Sequence, residues 1–447
     1  MGIVWLKKFP SIEILTFENA RKIFFSSYLK MISSFEIVTR DLFMQLLLPT
    51  FLIHLTRGLT VACLPLYILD VLELSKFDVG IAVGAIGLGK IVMDLPAGLL
   101  LDILGSRSLM MLSALLIAIS AIGNSLLTRI HVFPGLVFCT FLYGAGQGCG
   151  VLSRLAMMSE SIDPSIRGRV SALLGGSDRL GMAVGPLLAS IAISLGGGIG
   201  AVFFLQALCA LISGGVTYIS IPTRVSPSST AHVKFCTAGC SERVNIKILF
   251  NVSIYVLALQ LVREGRKLAI PLAGYDIGLT TDQVAWYSTI SFGIDAAMFL
   301  VSGSLMDTHG RIFPGSISLS LLIVSLLVLV PGLSPGIILL HAILAGVANG
   351  LSAGIVPALG ADFAPPSNRS EFLGYYRLFA DSGEFLGPFI VGIVSQFTSI
   401  PTTMNLVGTL GTVGAFWLCL FVPEPGKAKT SLAPSPAAQI GTPMELK

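Results

Sequence analysis

The sequence predicts an all-α integral membrane protein, with twelve transmembrane helices in two pseudo-symmetric six-helix bundles. Three observations carry that expectation. Of 447 residues, 54% are hydrophobic and 12% charged, whereas soluble domains carry roughly one-quarter charged residues. Apolar runs of the roughly 20 residues needed to cross a hydrocarbon core about 30 Å thick recur along nearly the whole chain. One short pattern also occurs twice, 205 residues apart: Gly98-Leu-Leu-Leu-Asp102-Ile-Leu-Gly105-Ser-Arg107 and Gly303-Ser-Leu-Met-Asp307-Thr-His-Gly310-Arg311. Backbone groups in lipid must be satisfied within their own segment, so the apolar runs read as helices. The repeated loop implies two copies of one membrane unit, a build typical of secondary transporters, whose substrate sites lie where the repeats meet.

In order, the spans are expected near 44–71, 77–101, 108–128, 134–158, 170–195 and 198–222, then 247–274, 284–306, 312–333, 335–360, 371–397 and 401–422. This divides the chain into an N-terminal segment (1–42), a first bundle (43–222), a polar linker (223–246), a second bundle (247–422) and a tail (423–447). The 48 glycines and 23 prolines fit, since both are commoner in membrane helices than in soluble ones. The tail, rich in Pro, Ala, Ser and Thr, reads as disordered. Residues 1–42 mix basic residues with aromatic and aliphatic ones, as a cytoplasmic segment lying on the membrane surface would. Glu13, Glu18 and Glu36 argue against an organelle-targeting segment.

Basic residues set the orientation. With both termini in the cytoplasm, Lys and Arg concentrate in the termini, the linker and the loops on that side, while the opposite loops hold Lys76 and Arg129. The net charge of +4 therefore reports topology rather than nucleic-acid binding. Cys236 and Cys240 lie in the linker near His232, but a single C-x-x-x-C lacks the second ligand pair of a metal site. The sequence shows neither a nucleotide-binding loop nor a nucleophilic or metal-ligand cluster, so neither an enzyme, a cofactor nor direct ATP drive is expected.

The duplication extends beyond the loops. At an offset of 202, Gly144-Ala-Gly-Gln147-Gly148 matches Gly346-Val-Ala-Asn349-Gly350, Glu160 matches Asp362, and Gly181-x-x-x-Gly185-Pro186 matches Gly383-x-x-x-Gly387-Pro388. Arg57 stands eight residues before Pro65-Leu66, as Arg263 does before Pro271-Leu272.

Residues 44–422 resemble the major facilitator superfamily. Gly98, Asp102, Gly105 and Arg107 match its loop 2–3 signature, and Gly303, Asp307, Gly310 and Arg311 its echo in loop 8–9. Gly181-x-x-x-Gly185-Pro186 resembles the span-5 signature of antiporters, and Arg57-Gly58 through Pro65-Leu66-Tyr67 the span-1 pattern of twelve-span drug:proton antiporters. One departure stands out: Gly144 occupies the place where that subfamily carries a span-4 arginine, and the nearest arginine is Arg154. The resemblance implies that spans 1, 4, 7 and 10 line a central cavity, that 2, 5, 8 and 11 form the contact between halves, and that 3, 6, 9 and 12 face lipid. The last group has essentially no mid-span charge, which agrees. It further implies that Asp102 and Arg107 latch the cytoplasmic side shut, with Asp307 and Arg311 in the weaker matching role.

A charge in mid-membrane costs about 2.5–3.5 kcal/mol on insertion scales, so such residues should pair or face water. The cavity set is Arg57, Arg154, Arg263 and Glu264, with Gln147 and Asn349. The inter-half set is Lys90, Asp94, Asp178, Arg179, Asp295, Arg377, Asp381 and Glu384. Arg57 and Arg263 are repeat equivalents and should face each other, an arrangement suited to a carboxylate or phosphate, with pairing to acidic neighbours as the alternative. Lys90/Asp94 and Arg377/Asp381 are spaced to pair within their helices. Lys90 is also expected to reach Asp381 or Glu384, and Arg179 to reach Asp295, in one conformation only. Arg266 and Lys267 should snorkel towards the outer surface. Proton coupling needs a carboxylate that takes up a proton when dehydrated; Asp178 and Asp295 are preferred.

The expected function is a secondary active transporter that moves a small organic molecule by alternating access. Proton-coupled export leads; organic-anion or organophosphate exchange and a non-transporting scaffold are the alternatives. The expected partners are membrane lipid, a small organic substrate and protons. The expected form is a monomer, in the plasma membrane rather than an organelle membrane.

Overall fold

A computed structural model describes residues 38–127, 132–163, 166–222, 246–365 and 369–423. The expectations for residues 1–37, the linker from 223 to 245, the tail from 424, Arg129, the Cys236/Cys240 pair and the Asp307 side chain lie outside what it describes.

Among the described residues the chain is helical throughout. Eight helical stretches are long and apolar enough to cross a membrane. Two of them, Lys76–Leu127 and Arg169–Ser220, have 52 residues each, about 78 Å at 1.5 Å per residue and far too long for one crossing. The first turns back at Gly105 (φ 76°), the second at Gly196 (φ 83°) and Gly198 (φ 60°). Positive φ is open to glycine at little cost, so these residues divide one hydrophobic stretch into two spans. With Thr281–His309 and Ile312–Leu327 the total is twelve.

We number them α1 (Arg40–Val71), α2 (76–104), α3 (106–127), α4 (Phe133–Ser161), α5 (Arg167–Ala192), α6 (Gly198–Ser220), α7 (Ile246–Asp276), α8 (Thr281–His309), α9 (Ile312–Leu327), α10 (Pro335–Phe363), α11 (Arg369–Phe397) and α12 (Ile400–Phe421). Most expected spans agree to within a few residues; α9 ends at Leu327 rather than near 333, since residues 328–331 form turns. α10 is interrupted: Pro335–Leu351 and Ile355–Phe363 flank a break at Ser352–Gly354, where Gly354 has φ 80°. Helix starts follow local chemistry. The Thr280 hydroxyl and Gln283 form a capping box at α8, and Ser75 with Asp78 exchanges the matching bonds at α2. Ser334 and Ser399 cap α10 and α12, each with a proline in the first turn.

The duplication is visible in the packing. A side chain on Gly144 (α4) would strike the Ile86 carbonyl of α2, and one on Gly346 (α10) the Ser291 carbonyl of α8. Gly148 and Gly350 lie against the carbonyls of Lys90 and Asp295 in the same way. Gly181 on α5 meets Phe51 and Leu55 of α1, while Gly383 on α11 meets Leu257 and Leu261 of α7. These contacts let the helices approach backbone to backbone. They also explain the departure at Gly144: the position has no room for any side chain.

The two bundles meet at one end. A single buried cluster joins Leu64, Leu66, Tyr67 and Ile68 of α1, and Val79 and Ala82 of α2, to Leu268, Ile270 and Leu272 of α7 and Val284 of α8. At the other end, the face carrying the 2–3 and 8–9 loops, Leu42, Met110, Met157, Val170 and Ile221 form a core belonging to the first bundle alone. Leu95, Leu99 and Ile103 of α2 are exposed there. Among the described residues the molecule is therefore sealed at the face opposite these loops and parted at the loop face.

Candidate substrate cleft and inter-half charge network

The sequence-selected charges assemble into one chain. Lys267 contacts Glu264 (2.5 Å), Glu264 contacts Arg57 (3.2 Å), and Arg57 contacts Glu384 (3.6 Å). Glu384 contacts Lys90 (3.0 Å), Lys90 contacts Asp381 (2.5 Å), Asp381 contacts Arg377 (3.3 Å), and Arg377 contacts Asp94 (2.9 Å). Four cations alternate with four carboxylates, and every bond except Lys267–Glu264 and Arg377–Asp381 joins two helices. The chain stitches α1 and α2 of the first bundle to α7 and α11 of the second. Strict alternation gives each buried charge opposite neighbours, which is what offsets desolvation. Gln260 also donates to Glu384 (3.0 Å).

A second contact joins α5 to α8: Arg179 Nε lies 3.4 Å from Asp295, and its guanidinium stacks on Phe299 at 4.7 Å. Asn349 donates to Asp295 (2.7 Å). By the repeat offsets Lys90 corresponds to Asp295 and Asp381 to Arg179. The two cross-bundle pairs are thus pseudo-symmetry mates with their charges reversed.

Beside the first network lies a small pocket, walled by Thr60 and Pro65 of α1, Val83 and Gly87 of α2, Tyr143 of α4 and Leu268 of α7, with Arg57, Glu264, Lys267 and Glu384 as its charges. Gln147 donates to the Tyr143 hydroxyl (3.0 Å), which meets Thr56 (3.1 Å), so Gln147 braces the wall from behind. At the sealed face Lys76 of α2 pairs with Asp276 of α7 at 2.5 Å.

Several expectations need correction. Arg57 and Arg263 do not form a shared anion cradle. Arg57 is taken by Glu264 and Glu384, whereas Arg263 turns into its own bundle and donates to the Ser352 carbonyl (2.8 Å) and hydroxyl (2.5 Å). The broken turn of α10 frees carbonyls at a helix C-terminus, where a cation is favoured. Lys267 and Arg266 do not snorkel. Lys267 turns inward to Glu264, and Arg266 is 2% exposed, within 3.5 Å of Ser291. Lys90 and Asp94 pair across to α11 rather than with each other, because its acidic and basic side chains lie opposite. Among the described residues, the partner of Arg107 lies in its own bundle: it donates to the Tyr218 carbonyl of α6 (2.7 Å) and stacks on that ring, while Asp102 is exposed. Arg311 likewise holds Asp362 of its own bundle (3.0 Å). The parting at this face leaves these described contacts within one half. Gly98 and Gly303 have open space around them, and Gly105 turns the chain. Gly310 (φ 77°) ends α8.

Arg154 contacts a residue the sequence reading passed over. His54 on α1 lies between Arg154 of α4 and Asp178 of α5. A search for formal charges omits a neutral histidine, yet its position one turn before Arg57 was a usable signal.

The family model described as Major Facilitator Superfamily matches residues 46–262 and 248–443, and the chain belongs to that superfamily. Among curated proteins, it is 33% identical over 107 residues to the arabinose-proton symporter of Bacillus subtilis, 24% of this chain and 22% of that protein. It is 26% identical over 192 residues to the quinolone resistance protein NorA of Staphylococcus aureus, 41% of this chain and 46% of that one. The chain thus spans about a fifth to a half of these relatives. Among solved structures, a POT family transporter bound to 5-aminolevulinic acid superposes with a TM-score of 0.70 at 13% identity, covering 86% of this chain and 96% of that one. The human organic anion transporter MFSD10 superposes with a TM-score of 0.63 at 16% identity, covering 85% and 99%. At such identities the likeness is one of fold.

Proposed function

We propose that this protein is a secondary active transporter that carries a small organic molecule by alternating access, with protons as the coupling ion. The observation that carries the reading is the alternating eight-charge chain along the bundle interface, beside a pocket sealed at one face. A scaffold could replace those charges with apolar residues at lower cost, whereas a rocking interface needs bonds that can be exchanged. The pocket is lined by two cations and two carboxylates, so its formal charge is balanced. That favours a neutral, zwitterionic or weakly cationic substrate over a phosphate. The partial likeness to an arabinose-proton symporter supports proton coupling.

With both termini in the cytoplasm, the parted face is cytoplasmic and the structure is the inward-open state. The two six-helix bundles, 43–222 and 247–422, are the rocking bodies, joined by the cytoplasmic linker 223–246, and the protein acts as a monomer in the plasma membrane. Asp102, Arg107, Asp307 and Arg311 engage across the bundles once this face closes. Export is the proposed direction.

The test is transport in proteoliposomes under an imposed pH gradient, with a cationic dye and a set of small organic anions as probes. Dye movement that follows the gradient and is lost in Arg57→Gln supports the reading. Anion exchange insensitive to the gradient would overturn it.

A further inference from the structure

We propose that His54 is a proton-binding site of the first bundle, with Asp178 as its counter-charge and Arg154 as the group displaced on loading. The inference rests on the transporter reading for what the proton drives.

The ring is 4% exposed. Its Nε2 lies 3.2 Å from Asp178 Oδ1. Its Nδ1 has two neighbours, the Thr50 carbonyl at 2.9 Å and Arg154 Nη1 at 3.2 Å. These two make opposite demands on one nitrogen. A carbonyl only accepts and a guanidinium only donates, so Nδ1 satisfies Thr50 when it carries a proton and Arg154 when it does not. With Asp178 holding a proton on Nε2, the neutral ring accepts from Arg154. Adding one proton from water makes the ring an imidazolium, breaks the Arg154 bond and forms Nδ1–H to Thr50; no other bond changes. Protonation therefore exchanges partners instead of merely adding charge.

Charged groups of several helices surround the ring. Asp178 of α5 supports the charged ring, while Arg154 of α4 and Arg57 of its own helix oppose it. Arg179 of α5 is turned to Asp295 of α8, and Glu264 of α7 holds both Lys267 and Arg57. Lys90 and Asp94 of α2 are bonded to α11. α6 packs on the same helix and carries no charged residue. The buried ring reaches water through Asp178, whose side chain is 39% exposed.

The second bundle shows that the fold does not need this trio. At the repeat offsets, His54, Arg154 and Asp178 correspond to Gln260, Val356 and Ala380. Asp178 also adjoins Arg179, which holds Asp295 across the interface. A charged ring neutralises Asp178 and leaves Arg179 to Asp295; a neutral ring leaves Asp178 competing for it. The proton is thereby linked to the α5–α8 contact.

The experiment uses the full chain, labelled with ¹⁵N-histidine in lipid nanodiscs and titrated from about pH 5 to pH 9, bracketing the ordinary histidine range. H54Q assigns the resonance among the five histidines. The expected result is a ring that moves from one protonated nitrogen to two, with R154Q and D178N displacing the midpoint in opposite senses. A ring that holds one protonation state throughout, or a midpoint unmoved by R154Q, would overturn the proposal. In the same vesicles used for dye transport, H54Q should lose the dependence on the pH gradient, and H341Q, buried in α10 away from the network, should keep it. Gradient-driven transport intact in H54Q would also overturn it. Absence of dye movement by the unmodified protein counts against the proposed function, while the titration still decides the site.

Discussion

Replacing Lys90 by methionine removes the centre of the charge chain. Its ammonium lies 2.5 Å from Asp381 and 3.0 Å from Glu384, and Asp381 is 2% exposed. Removing one partner of a buried pair costs about 3–5 kcal/mol, because the other charge stays buried. Arg377, 3.3 Å from Asp381, retains part of the balance, which places K90M near the lower end, about 3 kcal/mol. D381L leaves Lys90 its bond to Glu384 and Arg377 its bond to Asp94, and should cost about 2 kcal/mol. In the double variant every remaining charge keeps a partner: Glu384 has Arg57 and Gln260, and Arg377 has Asp94. The double variant should therefore be about 2 kcal/mol more stable than the sum of the single losses implies. The assay is unfolding by SDS in mixed micelles, followed by tryptophan fluorescence. Additivity within about 0.5 kcal/mol would refute the view that these charges form one coupled chain. The partly exposed Lys76–Asp276 pair is the control, with coupling of about 1 kcal/mol or less.

Three further outcomes follow from other parts of the fold. Gly144→Ala forces a methyl group into the Ile86 carbonyl and should destabilise by about 1–3 kcal/mol in the same unfolding assay; a neutral result would mean that α2 and α4 can move apart freely. Lys76→Glu places like charges at the sealed face against Asp276, and a cysteine at Val83 should then react several-fold faster with a membrane-impermeant maleimide; an unchanged rate would remove this pair from the seal. Arg263→Ala strips the α10 break of its donors to Ser352 and should cost roughly 1.5–3 kcal/mol. Hydrogen exchange at residues 352–354 should rise, and no change there would show that the break is held by other contacts.

Much of this molecule was legible in advance because lipid restricts the options. The twelve spans follow from apolar length, and their pairing from repeats such as Gly181/Gly383 and Gly144/Gly346, where absence of a side chain marks a helix crossing. The acidic and basic residues of the interface could be named for the same reason: a charge stands out in an apolar helix. Their partners were less legible. The pairing of Lys90 with Asp381 followed from equal depth, but the fates of Arg263, Arg266 and Lys267 depended on which way each helix face turned. The break in α10 that captures Arg263 has only Gly354 as a local sign. His54 escaped because its charge state depends on neighbours that are distant in sequence.

The sequence by itself determined that the chain crosses a membrane twelve times, that its halves are copies, and which side chains must find polar partners in an apolar medium. These are one-dimensional properties: length, periodicity, offset and the desolvation cost of a charge. Only the tertiary structure decided that eight of those charges form one alternating chain, that the two arginines of the repeat serve different partners, that a histidine sits between a carboxylate and a guanidinium, and that the bundles touch at one face and part at the other. Those facts depend on the rotation and depth of each helix against its neighbours. Packing at glycine crossings sets both, and residues far apart in the chain supply the contacts.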